Sequence, residues 1–192
     1  MSDVMSPISF SKLLDEVFTE FKRSKTIYGF HEKKFYRHNP NQHFELFGEI
    51  IDTPLGPAAG PHTQLAQNIV VAYLCGGRFF ELKTVQILDA LEFPKPCIRA
   101  EDEGYNTEWS TELTIEDALN EYVKAWFALY LLQKELFNLD DQRFQFNMSV
   151  GYDLKGIQSL KVDHFIESLK DASGLEFFKQ CQDILRERIG EF

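Results

Sequence analysis

Two stretches restrict the fold of this chain more than anything else in it: Thr53-Pro-Leu-Gly-Pro-Ala-Ala-Gly60 and Phe79-Phe-Glu-Leu-Lys-Thr84. Between them the apolar positions Leu65, Ile69, Ala72 and Tyr73 recur at helical spacing, with Thr63 ahead of them as an N-cap and Gly76-Gly77 behind as a terminator. The order is strand, Gly/Ala-rich loop, helix, strand, which is a βαβ crossover joining parallel strands. In the second strand Phe79, Glu81 and Lys83 share one face, and Phe80, Leu82 and Thr84 share the other. Strands of an open, doubly covered parallel sheet are apolar on both faces. A Glu and a Lys on one face, backed by an apolar face, suit a barrel strand whose inner residues point toward a polar site at the C-terminal mouth.

The same design returns later. Phe144, Phe146, Met148 and Val150 face one way, Gln145, Asn147 and Ser149 the other, and Gly151 ends the run. The sequence therefore predicts an α/β fold with strands of a (β/α)8 TIM barrel, and the resemblance set out below implies that they are about the first three. Lys83 and Asn147 should converge at the C-terminal ends of adjacent parallel strands, with Ala58 and Ala59 beside them on the third. A whole barrel takes roughly 250 residues and this chain has 192, so it is expected to be the first part of a longer protein.

Around this centre the chain divides into an N-terminal helical extension, 1–43, and the opening part of the barrel, 44–192. Phe10, Leu13, Leu14, Val17, Phe18 and Phe21 form one helical stripe. Asp15, Glu16 and Glu20 on the other face argue for a helix docked on the protein body, since membrane-surface helices carry Lys and Arg there. Residues 22–43 hold His31, His38 and His43, without the i,i+4 pair or cysteine partner of a metal site. Phe44 to Phe47 and Glu49 to Asp52 flank Gly48 as a tight hairpin. Pro94 and Pro96 break any helix after the second strand, and Arg99–Glu112 reads as a long polar loop with Tyr105 and Trp109, a functional length and composition. Thr114-Ile-Glu-Asp117 is a capping box opening a helix that runs to about Phe137. Helices follow over Val162–Leu169 and Leu175–Ile189, with turns at Lys155-Gly156 and Ser173-Gly174.

Eighteen Phe and 44% hydrophobic residues can fill a core, while a net charge of -10 argues against a nucleic-acid partner. No stretch reads as a signal peptide or a bilayer span, so a cytoplasmic location and no membrane partner are expected. Cys75, Cys97 and Cys181 are too scattered for a disulfide framework or a metal cluster.

The run Thr53 to Gly60, then a helix, then Phe-Glu-Leu-Lys-Thr84, with the hairpin ahead of it, resembles the start of the flavin barrel of dihydroorotate and dihydropyrimidine dehydrogenases. Four longer motifs are more specific: Gly56 to Asn68, Glu81 to Asp89, Asn106 to Glu112, and Phe146 to Tyr152. Together they are similar to the N-terminal part of the selenate reductase iron–sulfur flavoprotein subunit family, over essentially the whole chain.

That resemblance implies an oxidoreductase whose barrel binds FMN and exchanges electrons with a small-molecule substrate. It places the backbone of Ala58, Ala59 and Gly60 against the flavin ring, Lys83 and its neighbour Thr84 at the isoalloxazine, Asn106 at both flavin and substrate, and Asn147 as a polar inward residue of the third strand. It also implies that the catalytic base, the flavin phosphate loops, 4Fe–4S motifs and FAD and NAD(P) sites lie beyond residue 192, with other redox subunits as partners. No catalytic residue and no metal ligand are assigned within the chain. Two other readings compete. One is a flavin-free barrel kept as a scaffold for partner redox subunits. The other is a different barrel enzyme, such as an aldolase with Lys83 as its Schiff base.

Overall fold

The Ser9 side chain opens the first helix by accepting the Lys12 N–H at 3.2 Å. In the computed structural model, which describes residues 6–60, 63–85, 113–151, 153–188 and 190–191, this helix is α1, Phe10–Ser24. It stops where Lys25 turns left-handed, φ 57°. Phe10, Leu13, Leu14, Val17 and Phe18 are buried in the same core as the helices of the barrel part. At about 1.5–3 kcal/mol each, that stripe fixes α1 to the body. It is the docked helix the sequence predicts.

Two small hairpins follow. Strands β1 (Thr26–Ile27) and β2 (Phe30–His31) pair antiparallel around Tyr28 and Gly29, both at positive φ. Tyr28 tolerates that conformation because the Glu20 carboxylate takes its N–H at 2.8 Å and the Gly29 N–H at 2.9 Å, with the Thr26 hydroxyl at 2.5 Å. The Thr26 hydroxyl, helped by the two amides, holds the Glu20 carboxyl below its usual range against the opposing effect of burial. A depressed carboxylate contributes stability above its unfolded pKa and loses it as pH falls through the folded value. The amide resonances of Tyr28 and Gly29 should therefore titrate with a midpoint below 4.5 and stop titrating in Glu20→Gln. A midpoint at or above 4.5 would contradict this account.

Strands β3 (Phe44–Leu46) and β4 (Glu49–Ile51) form the second hairpin, with Phe47 at φ 51° and Gly48 at φ 83°, the two-residue turn that matches strand twist. Helix α2 (Ala66–Leu74) and strand β5 (Phe79–Leu82) come next. The expectation that Thr63 caps α2 is corrected. Leu65 is the N-cap position and has no side-chain bond, while the Thr63 hydroxyl donates to the Gly60 carbonyl at 2.9 Å. At the other end Gly76, at φ +104°, terminates the helix as predicted.

The remaining elements are α3 (Ile115–Phe137), β6 (Gln145–Met148), the single turn α4 (Leu154–Ile157), α5 (Leu160–Lys170) and α6 (Glu176–Glu187). Thr114 accepts the Asp117 N–H at 3.1 Å, which is the predicted start of α3. Lys155-Gly156 lies inside α4 rather than in a simple turn, because Asp153 takes the Gly156 N–H at 2.8 Å and winds the backbone into one helical turn. The Pro94–Pro96 break and the loop Arg99–Glu112 fall outside the described residues.

The sheet is parallel and starts one step later than the hairpin. β5 and β6 pair in register Phe79↔Gln145, Phe80↔Phe146, Glu81↔Asn147 and Leu82↔Met148. On the far side of β5, the Phe79 N–H donates to the Leu55 carbonyl at 3.1 Å and the Glu81 N–H to the Pro57 carbonyl at 3.3 Å. Bonds at every second residue in the same direction are a parallel ladder. Pro57 has no N–H to return one, so the ladder is one-sided. Gly56 sits so close that a Cβ there would lie 1.6 Å from the Phe79 carbonyl oxygen, which is why this position is glycine. The strand feeding the Gly/Ala loop is thus residues 55–57, and Glu49–Ile51 is an arm of the predicted hairpin before it. Among the described residues the three strands do not close a barrel. Nor is any described helix long and apolar enough to cross a membrane.

Helices cover one face. Phe80 and Leu82 are buried, and the Phe80 and Phe146 rings meet edge-on at 5.5 Å. α3 is buried nearly all round, Glu121 and Lys124 included. The other face carries Glu81 and Asn147 and is open.

Candidate functional site

The open face is a cleft of about 730 Å³. Leu55, Phe79 and the Phe47 ring of the hairpin line its lower part, and Ala58, Glu81 and Asn147 its upper part, toward the C-terminal ends of the strands. Alternation makes this arrangement: residues 79 and 81 point in because 80 and 82 pack on helices, and 147 stands opposite 81 in register. The Ala59 N–H donates to the Glu81 Oε2 at 3.2 Å, tying the Gly/Ala loop to the second strand. The Asn147 Nδ2 is buried and has no hydrogen-bond partner among the described residues.

Of the residues that the sequence singles out, Ala58 and Asn147 line this one cleft, and Ala59 joins it through Glu81. Gly60 is buried and turned toward α2, where its N–H donates to the Thr63 Oγ1 at 3.1 Å. Lys83 lies one residue beyond the last ladder position of β5, half-buried, and its carbonyl accepts the Tyr122 hydroxyl at 2.9 Å. The Thr84 hydroxyl donates to the Ser149 carbonyl at 3.3 Å, joining the ends of β5 and β6 at the rim. Among the described residues the polar side chains lining the cleft are Glu81, Asn147 and Ser149, and Lys83 is not one of them. Asn106 falls outside the described residues.

Three residues that support the cleft were not singled out by sequence. Glu81 is placed by the sequence on the inner face of its strand, but with no role there. Gln64 is fully buried, and its Oε1 accepts the Leu113 N–H at 3.0 Å, so the start of α3 is stitched to the loop before α2. The Glu121 Oε2 takes the Ala66 N–H at 2.8 Å, supplying from α3 the cap that α2 lacks in its own sequence. Burial pushes the Glu121 carboxyl up, against the opposing Lys124 ammonium and Ala66 amide. Lys124 pairs with Glu121 and donates to the Ile8 carbonyl. The burial of a Glu in the middle of an otherwise amphipathic stripe was the available signal, and only its contacts give it a meaning.

A second polar cluster lies beneath the sheet. Asp52, fully buried, meets the His38 Nδ1 at 2.8 Å and the Arg78 Nε at 3.3 Å. The Arg78 Nη1 donates to the carbonyls of Tyr73 at 2.7 Å and Gly77 at 2.8 Å, and its guanidinium lies 3.8 Å from the Tyr73 ring centre. Burial pushes the Tyr73 phenol up to about 12, Arg78 opposing and Asp52 reinforcing. This cluster sits at the N-terminal end of β5, the end of such a sheet that serves stability rather than chemistry. It also gives His38 a carboxylate partner. Among the described residues no group of three or more His, Cys, Asp or Glu could hold a metal.

Comparison with known proteins gives this geometry a context. The family described as "Oxidoreductase YgfK, N-terminal TIM-barrel domain" matches residues 28–192. Two proteins named "Putative oxidoreductase YgfK", from Escherichia coli (strain K12) and Escherichia coli O157:H7, are each 53% identical over 191 residues. That alignment covers 98% of this chain and 18% of either relative, so the chain spans under a fifth of their length. No solved structure matches the chain.

Proposed function

The chain belongs to the family of YgfK N-terminal TIM-barrel oxidoreductase domains, and from that premise we propose that it is the opening part of a flavin barrel of the dihydroorotate and dihydropyrimidine dehydrogenase type. In this reading the whole protein is an oxidoreductase of the selenate reductase iron–sulfur flavoprotein kind. FMN binds at the cleft, a small molecule is the substrate, and 4Fe–4S, FAD and NAD(P) sites with partner redox subunits belong to the remainder.

One observation carries the proposal. A buried amide donor, the Asn147 Nδ2, finds no acceptor among the described residues, and its residue lines an open cleft together with Ala58 at the C-terminal ends of parallel strands. A buried polar atom of this kind costs about 1–3 kcal/mol unless something satisfies it, and a ring with carbonyl and nitrogen acceptors would do so. Small side chains at Ala58 and Ala59 permit a flat ring to approach the backbone. FMN, when bound, supplies one- and two-electron transfer. This chain's own residues bind and orient: Asn147 as donor, the Ala58–Gly60 backbone as floor, Lys83 and Thr84 at the rim, and Asn106 as the residue the resemblance assigns to both cofactor and substrate. An ammonium at Lys83 would offset negative charge on a reduced ring.

The test uses the full-length protein. It should purify yellow, with a flavin spectrum and close to one FMN per chain. Lys83→Ala should lower bound FMN or slow its reduction while the melting temperature of the FMN-free protein stays near wild type. A colourless full-length protein that still binds partner subunits would replace the flavin reading with a scaffold. A large fall in the FMN-free melting temperature with unchanged FMN content and reduction would make Lys83 a purely structural residue.

A further inference from the structure

The ladder between residues 55–57 and β5 does not end where backbone geometry alone would end it. Its bonds recur at Phe79 to Leu55 and Glu81 to Pro57. In an evenly spaced parallel pair the next one would run from the Ala59 N–H to the Glu81 backbone carbonyl. Instead the Ala59 N–H goes to the Glu81 side chain, Oε2, at 3.2 Å. A carboxylate stands off the strand by the length of its stem, so the chain that takes it as acceptor leaves the ladder at this point.

We propose that Glu81 is a positioning residue: its carboxylate replaces the backbone as the ladder's last acceptor and so holds the Ala58–Gly60 backbone off the sheet, at the height where it forms the floor of the cofactor site. The proposal rests on the flavin reading for its purpose, and on the Ala59–Glu81 bond for its geometry. It also explains why a carboxylate occupies the inner face of β5. The bond is charge-assisted and therefore stronger than a neutral one. Pro57 and Pro61 flank the loop and supply no N–H of their own, so Ala58, Ala59 and Gly60 are the loop's only amides. Of these the Gly60 amide is already taken by Thr63.

Three full-length forms decide it: wild type, Glu81→Ala and Glu81→Gln. The 57–61 segment carries three exchangeable amides, so hydrogen exchange there, followed in the FMN-free forms, reports the loop directly and does not depend on any cofactor. Exchange should quicken about tenfold in Glu81→Ala and return close to wild type in Glu81→Gln, whose amide oxygen reaches equally far. FMN affinity should follow, falling about tenfold in Glu81→Ala and largely rescued in Glu81→Gln. Melting of the FMN-free forms should be nearly unchanged, since the Ala59–Glu81 bond is itself solvent-exposed. Unchanged exchange in Glu81→Ala would overturn the proposal. So would equal loss of FMN in both variants with normal exchange, which would assign Glu81 a direct charge on the cofactor. If wild type holds no FMN, the flavin reading fails alone, and the exchange pattern still decides whether Glu81 sets the loop.

Discussion

Replacing Arg78 with alanine should destabilise the protein by about 3–5 kcal/mol, because it strands a carboxylate rather than merely removing an attraction. Asp52 is fully buried and Arg78 is 1% exposed, so neither can turn to water when its partner is lost. His38 remains as a partner, but its side chain is 18% exposed and contacts only the Oδ1. The Tyr73 and Gly77 carbonyls lose their Nη1 donor in the same step. For a domain of this size the loss corresponds to a Tm lower by roughly 6–20 °C. The surface pairs set the contrast: Lys170–Glu167 and Arg186–Asp183 have more than half of each side chain exposed, and breaking either should cost about 0.5 kcal/mol or less. Thermal or urea melts of Arg78→Ala beside Lys170→Ala would check both. The further change Asp52→Leu in an Arg78→Met background should recover much of the loss. If the single and double variants were equally unstable, packing rather than the orphaned charge would be the cause.

Glu121→Ala should cost a similar amount, about 3–5 kcal/mol, through two separate losses. Lys124 is 2% exposed and would keep only the Ile8 carbonyl, a poor match for an ammonium out of water. The Ala66 N–H would also lose its acceptor, a helix-cap loss of about 1 kcal/mol. Adding Lys124→Met should restore the first part and leave the second. The residual should then appear as faster amide exchange in the first turn of α2, just behind the Gly/Ala loop. A double variant no more stable than Glu121→Ala would show that Lys124 tolerates isolation and that the cap carries the whole effect.

Much of this fold was legible because it is written locally. The α1 stripe, the Thr114 cap and the alternation in β5 each depend on residues within a few positions, and the structure follows them. The inner placement of Glu81 and Asn147 came from the same alternation. What was misread depended on neighbours distant in sequence. Thr63 looks like an N-cap, yet the cap of α2 comes from Glu121, 55 residues beyond Ala66. Residues 55–57 do not look like a strand, because Gly56, Pro57 and the flanking Pro54 are poor strand formers. They act as one only because β5 supplies the N–H groups. Asp52, Arg78 and Lys124 look like surface charges until their partners are known. The candidate site shows the same division: Ala58 and Asn147 could be placed by pattern and resemblance, whereas the part played by Glu81 appears only in a hydrogen bond that replaces an expected one.

The parallel pairing of β5 with β6 also sets an order of events at the ribosome. On the order of sixty residues separate Leu82 from Gln145, so at about 5–20 residues per second β5 waits several seconds for its partner to be made. During that wait its later edge has no strand to pair with, and such edges recruit other chains. Its earlier edge is already occupied by residues 55–57, and α2, whose buried residues share one core with Phe80 and Leu82, has already been made. The half of the sheet that precedes the crossover thus leaves a nascent chain with one sticky edge instead of two.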